Sequence, residues 1–319
     1  MKNLFRILET ILLLIFIHSC KKDTSTVPSI ITESATDLTN TTATLNGTAN
    51  ANNSSTTLTF EYGSTTSYGK TAVAIQSPII GSSSININIG ITGLTSGLLY
   101  HYRAKAVNAI GIIYGEDVQF STTVTDYEDN VYTTVTIGAQ VWMVENLKTT
   151  KYRNGDLIGT TTPVTLDISS ESSPKYQWAY NGNENNISTF GRLYTWYAVT
   201  DSRNLCPAGW HVPNGAEWTT LTTYLGGEAV AGGKLKETGT THWQSPNTDA
   251  TNESSFIGLP GGSRLISTFD RFGFNGFWWS STEFSTSGAH YLSMYYNYGM
   301  VYRDVIIKKV GFSVRCLRD

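Results

Sequence analysis

All eight tryptophans of this 319-residue chain fall between Trp142 and Trp279, and the first 141 residues hold none. An indole is among the largest groups a core must enclose, so its confinement to one part implies two cores of different make. The boundary is expected near Thr122-Thr123-Val124-Thr125, where a Thr/Ser/Asn-rich texture gives way to aromatic-rich sequence. The length suits two ordinary domains of roughly 100–200 residues each. Only 15% of the residues are charged, against about 25% in an average soluble domain. With 29 glycines and 18 tyrosines, that composition favours strands joined by polar turns over a helical bundle. A net charge of −3 without a Lys/Arg run leaves no electrostatic footprint for nucleic acid. An aromatic content of 12% excludes a disordered chain.

Lys2 and Arg6 precede the apolar run from Ile11 to Ile17. That run is far shorter than the roughly 20 residues of a membrane-crossing helix, and the arrangement reads as a secretory signal. Ile17-His18-Ser19-Cys20 resembles a bacterial lipobox, whose cysteine is acylated and becomes the first residue of the mature protein. The resemblance implies a signal peptide over 1–19 and membrane attachment through an acylated Cys20; the alternative is a plain signal with an incidental cysteine. A polar tether is expected over 20–28. Lys21-Lys22-Asp23 resembles lipoprotein starts of Bacteroidetes-type bacteria, which implies anchoring to the outer membrane, facing the cell exterior.

Residues 29–124 read as an all-β sandwich. Thr42 to Gly47, Thr57 to Gly63, Ser84 to Ile89, Tyr100 to Val107 and Gly115 to Phe120 alternate in polarity, with turn signals at Gly63-Ser64, Gly81-Ser82 and Gly111. Leu94 to Tyr100, followed by Tyr102 to Asn108, resembles the tyrosine corner and the following strand of fibronectin type III domains. That resemblance implies a tyrosine hydroxyl bonded back to the backbone, and the expected role is a spacer.

From 125 to 319 the pattern changes. Val135 to Met143 reads as a hairpin with Gly138 near its turn, and Gly191 to Val199 carries Leu193, Trp196 and Tyr197 at helical spacing. A second helix has Asn214 as its N-cap, Glu217 completing a capping box, Gly226-Gly227 as its stop, and Trp218, Leu221 and Leu225 on one face. Asn204-Leu205-Cys206-Pro207-Ala208-Gly209-Trp210-His211-Val212-Pro213 with Glu217-Trp218 resembles the signature of the Fibrobacter succinogenes major paralogous (FISUMP) domain. So do Gln140 to Leu147, Gly191 to Tyr194, Trp278 to Glu283 and Gly311 to Asp319, in the same order. The resemblance implies an α+β, C-type-lectin-like fold similar to that of formylglycine-generating enzymes, and no assigned chemistry.

Cys206 and Cys316 are the two cysteines after Cys20, and in an exported protein they are expected to form a disulfide. A catalytic thiol pair is the alternative; the cysteines of formylglycine-generating enzymes lie closer together in sequence. None of the five histidines stands in a zinc spacing, and His211 is expected to pack and hydrogen-bond the backbone. No nucleophile elbow or phosphate loop occurs. Asn247, Asp249, Asn252 and Glu253 are weak calcium candidates beside Ser245-Pro246-Asn247, against a plain polar turn, and no other cofactor is expected. The best binding candidates are Trp278, Trp279, Arg264, Arg271, Tyr295 and Tyr296, with at least one of the two tryptophans expected in the core. The expected function is non-catalytic recognition of a glycan or protein partner; a lectin-fold enzyme and an architectural surface component are the alternatives.

Overall fold

The computed structural model describes residues 26–319; the leader, Cys20 and the start of the tether lie outside the described residues. Eight strands come first: β1 (Ser29–Thr36), β2 (Ala43–Asn50), β3 (Thr57–Gly63), β4 (Lys70–Val73), β5 (Ile85–Ile91), β6 (Leu99–Val107), β7 (Ile112–Tyr114) and β8 (Val118–Ser121). They form one sheet ordered β1-β2-β5 and another ordered β4-β3-β6-β7, with β8 also paired to β6. Strand alternation sends Ala43, Leu45 and Ala49 inward from β2, and Tyr102, Ala104 and Ala106 inward from β6. They share a core with Leu58, Phe60, Ile87 and Phe120. The Thr95 amide donates to the Tyr100 hydroxyl at 2.9 Å, the backbone tie expected at this corner.

A separate pair of cores begins at Val124. Its elements in order are β9 (Val124–Thr125), β10 (Val131–Tyr132), β11 (Thr134–Ile137), β12 (Gln140–Met143), β13 (Gln177–Trp178), α1 (Ile187–Phe190), β14 (Leu193–Thr195), α2 (Trp196–Val199), β15 (Trp210–His211), α3 (Gly215–Tyr224) and α4 (Glu228–Leu235). Then follow β16 (Ser263–Arg264), β17 (Phe269–Asp270), β18 (Asn275–Glu283), β19 (Gly288–Tyr295), β20 (Val301–Ile307), β21 (Gly311–Phe312) and β22 (Leu317–Arg318). Four sheets result, a two-stranded one of β9 and β10 and three ordered β11-β12-β22-β15, β13-β14-β21-β16-β17 and β18-β19-β20.

Ile137 pairs with Gln140, so the first hairpin turns at Gly138-Ala139, where Gly138 takes φ 62. Helix α3 carries the full capping box: Asn214 Oδ1 accepts from the Ala216 and Glu217 amides, and Glu217 accepts from the Asn214 amide. The helix expected over 191–199 is confined to Trp196–Val199, because Leu193–Thr195 pairs with β13 and β21 instead. Helix α4 was hidden by Gly232-Gly233. Those glycines are needed because an added Cβ would lie 2.4 Å from the Met300 carbonyl oxygen and 2.3 Å from that of Asp249.

Two ties close this domain. Cys206 and Cys316 form a disulfide across 110 residues, with both residues buried. The other tie is Asn146, which is 2% exposed. Its Oδ1 accepts from the Trp278 indole N–H at 2.8 Å and from Arg315 Nη2 at 2.8 Å, while its Nδ2 donates to the Phe190 carbonyl at 2.9 Å. The Arg315 guanidinium also donates to the Phe256 and Ile257 carbonyls and lies 4.1 Å from the Phe256 ring centroid. Burial pushes its pKa down to about 9, so it remains a cation at neutral pH.

Asn146→Leu removes the shared acceptor from a buried cation and a buried indole, and is expected to cost about 3–5 kcal/mol. Urea denaturation reads this as a lowered midpoint, and Asn146→Asp, which keeps the acceptor but loses the donor to the Phe190 carbonyl, is expected to fall between wild type and Asn146→Leu. Replacing both Cys206 and Cys316 by alanine is expected to cost up to about 4–5 kcal/mol by freeing the unfolded chain; the same titration under non-reducing conditions checks it.

Candidate recognition cleft

The strand β18 carries both adjacent tryptophans, and its two faces enter different cores. Trp278 packs with Trp218, Phe256 and Leu292 in one, and Trp279 with Tyr194, Phe277 and Phe312 in the other. Both are fully buried, and their indoles donate to Asn146 Oδ1 and to the Tyr194 carbonyl. Alternation therefore holds, but at these two positions both sides of the strand are covered, so neither tryptophan reaches the surface as a binding residue would. Arg264 is also removed from the candidates. It is buried, its guanidinium lies 4.1 Å from the Trp178 ring centroid, and it donates to the carbonyls of Val164, Leu166, Leu265 and Ile266.

Arg271 and Tyr295 do come together. They line a cleft of about 250 Å³ with Asp270, Asn275, Phe277 and Tyr291. Antiparallel pairing of Asn275 with Tyr295 and of Trp279 with Tyr291 places these side chains on one face of β18 and β19. Phe312 of β21 backs this floor, stacked on Phe277 with centroids 4.8 Å apart and 5.0 Å from the Tyr291 ring. Tyr296 points to the other face and packs edge-on against Phe274.

Asn275 was not anticipated. It is 4% exposed, lines the cleft, and its side-chain amide has no hydrogen-bond partner among the described residues. The Tyr291 and Tyr295 hydroxyls likewise make no hydrogen bond among the described residues. Burial pushes the Tyr291 phenol up to about 12, with Tyr295 and Asp304 adding to the rise, so it stays a neutral donor and acceptor through the physiological range. Asp270 and Arg271 pair across 3.4 Å at the rim.

Three of the four calcium candidates have polar partners, while the Asn247 Oδ1 atom is buried without a hydrogen-bond partner among the described residues. Asn247 Nδ2 donates to the Glu237 and Gly239 carbonyls, Asn252 Oδ1 accepts from the Ile257 amide, and Glu253 pairs with Lys234. Asp249 packs against Gly299. The positive charge in this loop belongs to Lys236, a buried ammonium that donates to the carbonyls of Thr248 at 2.7 Å, Tyr295 at 3.1 Å and Tyr298 at 2.9 Å. Burial lowers its pKa to about 8. It thus ties the cis-Pro246 loop to the end of β19, where Tyr295 stands, and to the turn that follows.

His211 bonds two carboxylates rather than the backbone: Nδ1 meets Asp319 at 2.7 Å and Nε2 meets Glu217 at 2.9 Å. Burial pulls the imidazole pKa down, but Asp319 and Glu217 together outweigh it and raise it above its ordinary value.

Residues 135–318, more than half of the chain, match the model of the Fibrobacter succinogenes major domain. No curated protein matches. Among solved structures, the chain is similar to the sensor domain of the anti-sigma factor RsgI4 of Pseudobacteroides cellulosolvens. A short form gives a TM-score of 0.25 and 19% identity, over 30% of this chain and 95% of that one. A long form gives 0.23 and 20%, over 30% and 88%. A solution structure gives 0.23 and 19%, over 30% and 74%. Likeness at these scores carries nothing about activity.

Because the folded pKa of His211 is raised, the stability its carboxylate bridge adds is full below the unfolded value of roughly 6.5 and is lost as pH rises through the folded value. The melting-temperature advantage of wild type over His211→Gln is therefore expected to be largest in mild acid and to shrink on the alkaline side. A thermal series across pH checks it, and a pH-independent difference would contradict the charge assignment.

Proposed function

This chain belongs to the Fibrobacter succinogenes major domain family, and on that premise we propose that it is a surface-anchored recognition protein. The C-terminal domain binds a glycan or protein partner without catalysis. The sandwich at 29–124 acts as a spacer, and acylation at Cys20 holds the protein on the outer membrane, facing outward. The observation that carries this reading is the cleft. Over a packed aromatic floor, the Asn275 amide and the Tyr291 and Tyr295 hydroxyls are left without partners among the described residues. Buried polar groups are ordinarily satisfied, so such a group facing an open cleft is suited to a ligand.

The C-type-lectin-like reading of the domain is supported by its closure. The early strand β12 pairs with β22 near the C-terminus, the disulfide joins the middle of the domain to the segment before β22, and α3 packs beside them. An oxidase of the formylglycine-generating kind would need a reduced cysteine, whereas Cys206 and Cys316 are joined to each other and buried. Glycan and protein arrays probed with the purified full chain test the proposal. Binding is expected for wild type and is expected to fall about tenfold or more for Tyr295→Ala. A well-folded sample that binds nothing on either array overturns it.

A further inference from the structure

The chemistry of the cleft selects among ligands. Its floor is aromatic, from Phe277, Tyr291 and Tyr295, and takes an apolar face. Its wall holds the planar Asn275 amide, which offers donors and an acceptor side by side to two neighbouring hydroxyls. Two phenols add groups that both donate and accept. The rim charges of Asp270 and Arg271 face each other, so no unpaired charge is presented to an ionic ligand. The cavity of about 250 Å³ falls below the roughly 300–1,000 Å³ of sites that enclose drug-sized molecules, which suits a single ring. An extended peptide would call for an open strand edge. The cleft instead sits on the face of β18 and β19, which pair with each other, while β19 also pairs with β20.

We propose that this cleft binds one ring of a neutral polysaccharide, stacked on the tyrosines and bracketed by Asn275, with no metal ion in the contact. The inference rests on the recognition reading above and names its ligand class. Metal independence follows from the lining, whose one carboxylate, Asp270, is paired with Arg271, and Lys236 supports the strand end from behind. The ammonium of Lys236 holds the Tyr295 and Tyr298 carbonyls.

The test is affinity electrophoresis of the full chain in detergent, through gels containing β-glucan, xylan, galactomannan or xyloglucan, with polygalacturonate and heparin as charged comparisons. Retardation by at least one neutral polysaccharide is expected, unchanged by EDTA and weakened about tenfold or more by Asn275→Ala and by Tyr295→Ala. Tyr295→Phe, which keeps the ring, is expected to lose less. Should Asn275→Ala fail to fold, the half-buried Tyr295 supplies the decisive variants. Retardation by the charged polymers alone, loss of binding in EDTA, or neutral binding indifferent to the Tyr295 variants overturns the inference. Absence of any polysaccharide binding beside a Tyr295-dependent protein contact on the array removes the sugar and leaves recognition standing. Silence in both assays removes both.

Discussion

The Asn146 carboxamide is where separate stretches of the C-terminal domain meet. One oxygen accepts from Trp278 on β18 and from Arg315 just before β22, while the amide nitrogen holds the end of α1 through Phe190. This domain has short strands, short helices and long connections, so many carbonyls lie inside it without a ladder partner. Buried cations answer them. Arg315 takes the Phe256 and Ile257 carbonyls, Arg264 takes four more, and Lys236 takes three. Arg153, only partly buried, does the same for Cys206, Pro207 and Trp210. A charge in a core is costly to desolvate, and several aligned carbonyl dipoles offset that cost while fixing the loops that supply them.

That arrangement gives the cleft its meaning. Lys236 and Arg264 pin the segments on either side of it, so its tyrosines and Asn275 stand on a supported floor rather than on a free loop. The Asn275 side chain lines that cleft without a hydrogen-bond partner among the described residues. Preorganisation of this kind lowers the entropy cost of binding, which matters for a ligand that offers little apolar area.

The sequence made some of the site legible and concealed the rest for physical reasons. Arg271 and Tyr295 were identifiable because Tyr and Arg concentrate where proteins bind, and both do line the cleft. Trp278 and Trp279 carried the same compositional signal. Alternation along β18 could assign them to opposite faces but could not reveal that both faces are covered, one by α3 and the other by β21. Arg264 looked like a surface charge because its partners are main-chain carbonyls up to 100 residues away. Asn275 had no local signature at all, since its environment is made by pairing with Tyr295 and by the segment at 263–271.

By itself the sequence determined the elements whose signals are local: the alternating strands of the sandwich, the Tyr100 tie, the Gly138 turn and the capping box of α3. It also carried the family signature, whose blocks supply Asn146, Trp278 and Arg315. Only the tertiary structure decided which aromatic residues are core and which form the cleft. It alone placed the ammonium of Lys236 against the Thr248 carbonyl, and joined His211 to Asp319 across 108 residues. Burial, charge compensation and cleft shape depend on what lies across the fold, and that information is spread over segments no local window contains.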